Sequence, residues 1–201
     1  LASTWGGSGG LPQSVRDLLD GIPQLEGLTV HKAIVEHETP VPGKGRASVT
    51  DIMAWAKTAA GTQVVLAVEG KVDEPFGELV GRWRTAGKSP RSLENRATRL
   101  NGLCDLLGVD VHDPRLDRVR YQLLHRTYSA LVTAKAANAL PVLLVHSFDP
   151  QVTGLPDFER FVVLLGGKSV APGAWTVKTT SGELHLLWCQ DVRGTPSRGW
   201  S

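Results

Sequence analysis

Two short apolar runs constrain this chain more than anything else in it. TQVVLAVEGKV (Thr62–Val72) and LPVLLVHSF (Leu140–Phe148) are apolar at almost every position until they open onto polar residues at their C-terminal ends. A run of this length that does not alternate belongs to a strand covered on both faces. Helical patterns fill the chain between the two runs, so they predict an α/β fold: a sheet with helices packed on both sides.

The remaining segments fit around that sheet. PQSVRDLLDGI predicts a short helix, with Ser14 placed to cap it and Gly21 to end it. LTVHKAIVEHETPV reads equally as helix or strand, and so does ASVTDIMAWAKTAAG, where Thr50 would cap the helical version. VPGKGRAS between them is a loop by its proline and glycines. EPFGELVGRWRTAG and SPRSLENRATRLNGLCDLLGV predict helices, the second capped by Ser92, with Leu100, Leu103 and Leu107 at helical spacing. RVRYQLLHRTYSALVTAKAANA is the longest expected helix, closed by Pro141. DFERFVVLLGG reads as a helix stopped by glycines, and WTVKTTSGELHLLWCQDV as a hairpin with a Ser-Gly turn. One domain over 11–192 is expected, preceded by a flexible Gly/Ser-rich segment (1–10) and followed by a loose tail (193–201).

Composition limits the function classes. A chain of 201 residues that is 41% hydrophobic can bury a core without disulfide or metal staples. Cys104 and Cys189 sit in apolar contexts and form no CxxC or Cys/His metal spacing, which predicts two buried thiols in a reducing compartment. No apolar run reaches the length of about 20 residues that spans a bilayer, and no basic-then-apolar leader opens the sequence. A cytoplasmic protein with no membrane partner is expected. The net charge of +2 does not by itself argue for nucleic acid.

The sharpest chemical feature is AVEGKVDEPFG. Glu69 and Lys71 are two apart at the polar end of a strand, so they share a face. Asp51, in RASVTDIM, lies within reach of Glu69 if its segment pairs with that strand. Two carboxylates beside a lysine suit metal-assisted phosphodiester hydrolysis. The carboxylates supply hard oxygen ligands to Mg²⁺, the ion polarises the phosphoryl oxygen, and the ammonium positions water and offsets developing charge. The alternative is an ordinary surface ion pair between Glu69 and Lys71, which stabilises little.

Asp…Glu-x-Lys resembles the signature of the PD-(D/E)XK nuclease superfamily. GRASVTDIMAWAK, AVEGKVDEPFG and YQLLHRTYSAL, in that order, are similar to three blocks of an uncharacterised bacterial family within it. The blocks run from Gly45 to Leu131, and the apolar strand ending at His146 extends the resemblance to about half of the chain. It implies a restriction-endonuclease-like core, a central mixed sheet flanked by helices, that cuts nucleic acid (DNA in the first instance) with Mg²⁺ or Mn²⁺. Asp51 and Glu69 would be metal ligands and Lys71 would position the water. The proline often found before the aspartate is Thr50 here. Glu36 is the candidate for a further carboxylate ligand, against an alternative as the solvated acidic end of an element. Gln122 is expected to lend a polar group to the site from the long helix, where it shares a face with Arg126, beside His125. A homodimer is a further expectation for a nuclease this small.

Six basic residues and one acid lie between Gly81 and Leu100. With the loop before Asp51 they predict a phosphate-binding surface including Lys44, Arg46, Arg96, Arg99, His125 and Arg126. A solvated helical face is the default for such a charge run. His146 is expected in the core. GGKS at Gly166–Ser169 fails as a phosphate loop because Val162 stands where the first glycine belongs. A nuclease-like scaffold that binds nucleic acid or a protein without cutting stays open beside the catalytic reading.

Overall fold

A computed structural model describes residue 5 and residues 10–191. The rest of the 1–10 segment and the 193–201 tail lie outside the described residues. The fold is mixed α/β. It runs α1 (Gln13–Asp20), β1 (Thr29–Thr39), β2 (Ser48–Lys57), β3 (Gln63–Lys71), α2 (Val80–Thr85), α3 (Pro90–Leu107), a 3₁₀ turn (Leu116–Arg118), α4 (Tyr121–Ala136), β4 (Leu140–Ser147), α5 (Leu155–Leu164), β5 (Lys168–Ala171), β6 (Ala174–Thr179) and β7 (Gly182–Gln190). The strands form one seven-stranded mixed sheet in the order β1-β2-β3-β4-β7-β6-β5. β1, β2 and β3 are an antiparallel meander, β3, β4 and β7 run parallel, and β7, β6 and β5 are again antiparallel.

The two apolar runs are β3 and β4, neighbours at the centre of the sheet. Their alternate residues feed different cores. Val65, Ala67, Leu143 and Val145 pack with α2–α5, including Leu103, Leu124 and Phe158. Val64, Leu66, Val142 and Leu144 pack on the opposite face with Val15 and Leu19 of α1 and with Ile22 and Leu25. Central strands covered on both sides need apolar residues in both parities, which is why neither run alternates.

Both ambiguous segments are strands. The β-branched and aromatic content of β1 and β2 finds a pleated surface to pack on, and Thr50 is a fully buried strand residue rather than a cap. Capping also differs from expectation. Ser89, not Ser92, caps α3 by accepting from the Ser92 amide at 3.2 Å, and Pro90 follows at the first helical position. Ser14 donates to Asp191 (3.2 Å) instead of capping α1. The helix expected from Glu74 forms only from Val80. Trp5, within the glycine-rich opening, is half-buried and points its indole N–H at His146 Nδ1 (3.3 Å). No helix among the described residues is long and apolar enough to cross a membrane. Cys104 and Cys189 are buried in different cores on opposite faces of the sheet, so they cannot pair. Burial pushes both thiols up to about 11, which keeps them protonated and unreactive.

Candidate active site

The register of β2 on β3 builds the site. Ile52 pairs with Val68, so one residue further along Asp51 stands opposite Glu69. The Gly70 amide donates to Asp51 Oδ2 at 2.9 Å and fixes that carboxylate against β3. Glu69 and Lys71 have the same parity as Val65 and Ala67, which turns both toward α4. Asp51, Glu69, Lys71 and Gln122 thus line a single cleft of about 510 Å³, together with Glu74, Trp83, Tyr121, His125 and Arg126.

Glu69 is 3% exposed and its carboxylate is held on both oxygens. Lys71 Nζ lies 3.2 Å from Oε1, Gln122 Nε2 donates to Oε1 at 2.5 Å, and Arg126 Nε donates to Oε2 at 2.5 Å. Gln122 also accepts from Lys71 Nζ at 3.1 Å through its carbonyl. The ammonium can only donate and the carboxylate can only accept, which fixes the orientation of the bridging amide. Burial raises the Glu69 carboxyl above its usual value. Arg126 and Lys71 oppose that rise, and Asp51 adds to it.

Arg126 is oriented in turn. Its Nη1 donates to Ser48 Oγ at 3.1 Å, and Ser48 Oγ meets His125 Nδ1 at 2.8 Å. Burial, with the positive charges of Arg126 and Arg99, lowers His125 to about 3, so its imidazole stays neutral.

These contacts cover residues 48 to 126. The first 193 residues match the family model described as a domain of unknown function, DUF6946. The chain belongs to the DUF6946 family. No curated protein and no solved structure matches it.

In this DUF6946 domain, Glu36 does not line the cleft. It is exposed on edge strand β1 at φ 52°, left-handed backbone that is costly in a strand. Among the described residues no group of three His, Cys, Asp or Glu side chains is placed to hold a metal. The carboxylate pair Asp51 and Glu69 still fits a hard divalent cation. Mg²⁺ usually takes one or two carboxylates and completes its shell with water and substrate phosphate. Such an ion would have to compete with Arg126 and Lys71 for Glu69.

The expected basic residues divide into two kinds. Arg99 donates to the carbonyls of Pro42 (3.1 Å) and Lys44 (3.1 Å), and Asn95 exchanges two hydrogen bonds with the Lys44 backbone. Together they staple the loop between β1 and β2 to α3. Gly102 admits this close approach, since a Cβ there would sit 2.5 Å from Pro42. Arg96 donates to the Trp83 carbonyl at 2.6 Å and lies over the Trp83 ring. Lys44 and Arg46 are instead exposed on the stapled loop. His146 lies on the opposite face of the sheet and is fully buried, with its ring against Asp191 (3.2 Å). The sequence reading missed the stacked Trp83–Tyr121 pair, 3.8 Å between centroids, and the acidic residues Glu74 and Glu78 on the cleft wall. The run of carboxylates after Lys71 was the available signal for that wall.

Proposed function

We propose that the cleft hydrolyses phosphodiester bonds of nucleic acid, DNA in the first instance, with Mg²⁺ or Mn²⁺ held by Asp51 and Glu69. The single observation that carries this reading is the β2–β3 register, which sets Asp51 opposite Glu69 with Lys71 beside them over one cleft. When bound there, the ion supplies Lewis-acid polarisation of the phosphoryl oxygen and a more acidic water. Lys71 holds a positive charge at the cleft floor, where it orients a water and offsets charge developing on the phosphate. Gln122 keeps the Lys71 ammonium and the Glu69 carboxylate in fixed relation. The restriction-endonuclease-like description of the fold belongs to this proposal. So does a reducing, cytoplasmic setting, which the two buried, separated thiols support.

A second reading is binding without cutting. It is favoured by the engagement of both Glu69 oxygens by Arg126, Gln122 and Lys71, which neutralises that ligand. Calorimetric titration of Mg²⁺ and Mn²⁺ into wild type, Asp51→Asn and Glu69→Gln separates the two, alongside cleavage assays on DNA and RNA. Metal binding that both substitutions weaken, with metal-dependent cutting by wild type, is expected. No binding at millimolar metal in the presence of nucleic acid, and no cutting, refutes hydrolysis and leaves the binding scaffold.

A further inference from the structure

Exposed carboxylates line the cleft itself, and a basic wall lies in the grooves that adjoin it. On one side, Trp83 is shared with a groove containing Lys44, Arg96 and Arg99, and Tyr121 and His125 are shared with a pocket containing Arg46 and Arg99. A shallow depression with Lys44 and Arg91 continues the groove along α3. The other wall is the segment after β3, where Glu74 (3.7 Å from Lys71 Nζ) and Glu78 are exposed and line the cleft, with Asp73 exposed nearby.

The basic side also carries a column of flat groups. Tyr121 covers one face of Trp83 at 3.8 Å and 10°, which leaves the other face to the Arg96 guanidinium, 4.9 Å from the ring centroid. A guanidinium plane accepts an unpaired base by stacking, as an aromatic ring does.

We infer that the cleft takes single-stranded nucleic acid, its backbone along Lys44, Arg46 and Arg91 and a base stacked on the Arg96–Trp83–Tyr121 column. The inference rests on the proposed nucleic-acid site and narrows its substrate. A duplex presents two phosphate strands. Seating one on the basic wall brings the other toward Glu74 and Glu78, where like charge repels it. A duplex also keeps its bases stacked within itself and offers none to the column. A single strand satisfies the basic wall alone, as positively charged grooves with stacking platforms generally do.

The test is fluorescence anisotropy with a labelled 12-nucleotide DNA, single-stranded and as duplex, in EDTA so that no metal-dependent cutting occurs. Single-strand affinity at least about tenfold above duplex is expected. The log–log salt slope should be near −2, since each neutralised phosphate contributes about −0.7 on single strands. Lys44→Glu/Arg46→Glu should weaken binding at least tenfold. Arg96→Lys keeps the charge but removes the plane, so it should erase the single-strand preference while leaving the salt slope intact. Equal or tighter duplex binding, salt-insensitive binding, or no binding overturns the inference. Metal-dependent cutting of duplex alone would remove the strand preference and leave the chemistry. Single-strand binding with no cutting of any substrate would do the reverse.

Discussion

Replacing Arg126 by Met removes the cation that holds Glu69 Oε2 at 2.5 Å. Arg126 is 8% exposed and Glu69 is 3% exposed, so water from the cleft replaces only part of what is lost. Breaking a buried ion pair from one side costs about 3–5 kcal/mol. Glu69 keeps Lys71 at 3.2 Å and the Gln122 amide, which places the expected loss at about 2–3 kcal/mol. For a chain of this size that lowers the melting temperature by about 5–10 °C. The loss should depend on pH. Glu69 already has a raised carboxyl, chiefly from burial, and removing its strongest opposing cation raises it further. A carboxyl that is raised in the folded state binds a proton more readily there than in the unfolded chain, so stability is regained as pH falls through the folded value. The deficit of Arg126→Met relative to wild type should therefore be full at pH 8 and shrink toward acid. Glu69→Gln in the same chain should recover part of the loss, with a coupling energy of about 1.5 kcal/mol. Urea denaturation of the four proteins at pH 5 and pH 8 measures both quantities. A coupling below about 0.5 kcal/mol, with the same deficit at both pH values, would refute the view that Arg126 compensates a buried carboxylate.

Three further outcomes are expected. His125 is held down at about 3 by burial, so below about pH 6.5 the unfolded chain takes a proton that the fold refuses; stability present above that pH is lost toward acid, His125→Gln flattens the decline in denaturation profiles, and the wild-type His125 NMR signals do not titrate between pH 5 and 8. His185 is fully buried, neither ring nitrogen has a hydrogen-bond partner, and Glu183 stays 3.7 Å away; His185→Leu should add about 1–2 kcal/mol, read by thermal melting. Gly102→Ala gains up to about 1 kcal/mol of helix propensity but drives a methyl against Pro42 at a cost of about 1–3 kcal/mol, so a net loss is expected in urea titrations.

The parts of the fold legible in sequence are those whose burial is one-sided in meaning. Val64–Val68 and Val142–Val145 have nowhere to go but the middle of a covered sheet, so β3 and β4 announce themselves. β1 and β2 did not, because an exposed edge strand and its neighbour mix polar and apolar residues in a way that suits either period. β5 went unseen because four largely exposed residues carry no pattern. Within the cleft, the pairing of Glu69 with Lys71 follows from strand parity, while Gln122 is expected there from the resemblance, and its helix face only groups it with Arg126. The grip of Arg126 on Glu69 and the diversion of Arg96 and Arg99 to backbone carbonyls depend on how β3, α2, α3, α4 and the 40–47 loop meet in space. Local sequence holds no trace of those distances. The same limit explains Glu36, whose position in the chain is near Asp51 in pairing but whose side chain stays outside the cleft.

The turn joining β2 to β3 lies at the far end of both strands from the cleft. It is closed by Thr58 and Thr62, with Gly61 at φ 90°. Its length, together with the apolar pattern of the two strands, fixes which residue of β2 faces Glu69, because a slip of one position exchanges the two faces of a strand. A change of length there that shifted the register would dismantle the cleft without touching any residue in it. The segment from Val72 to Glu78, which borders the cleft directly, is pinned instead by the fully buried Phe76 and by the Glu78 carbonyl, which accepts from the Tyr121 amide at 2.9 Å. Among homologues, the remote turn is where chain length should be held constant.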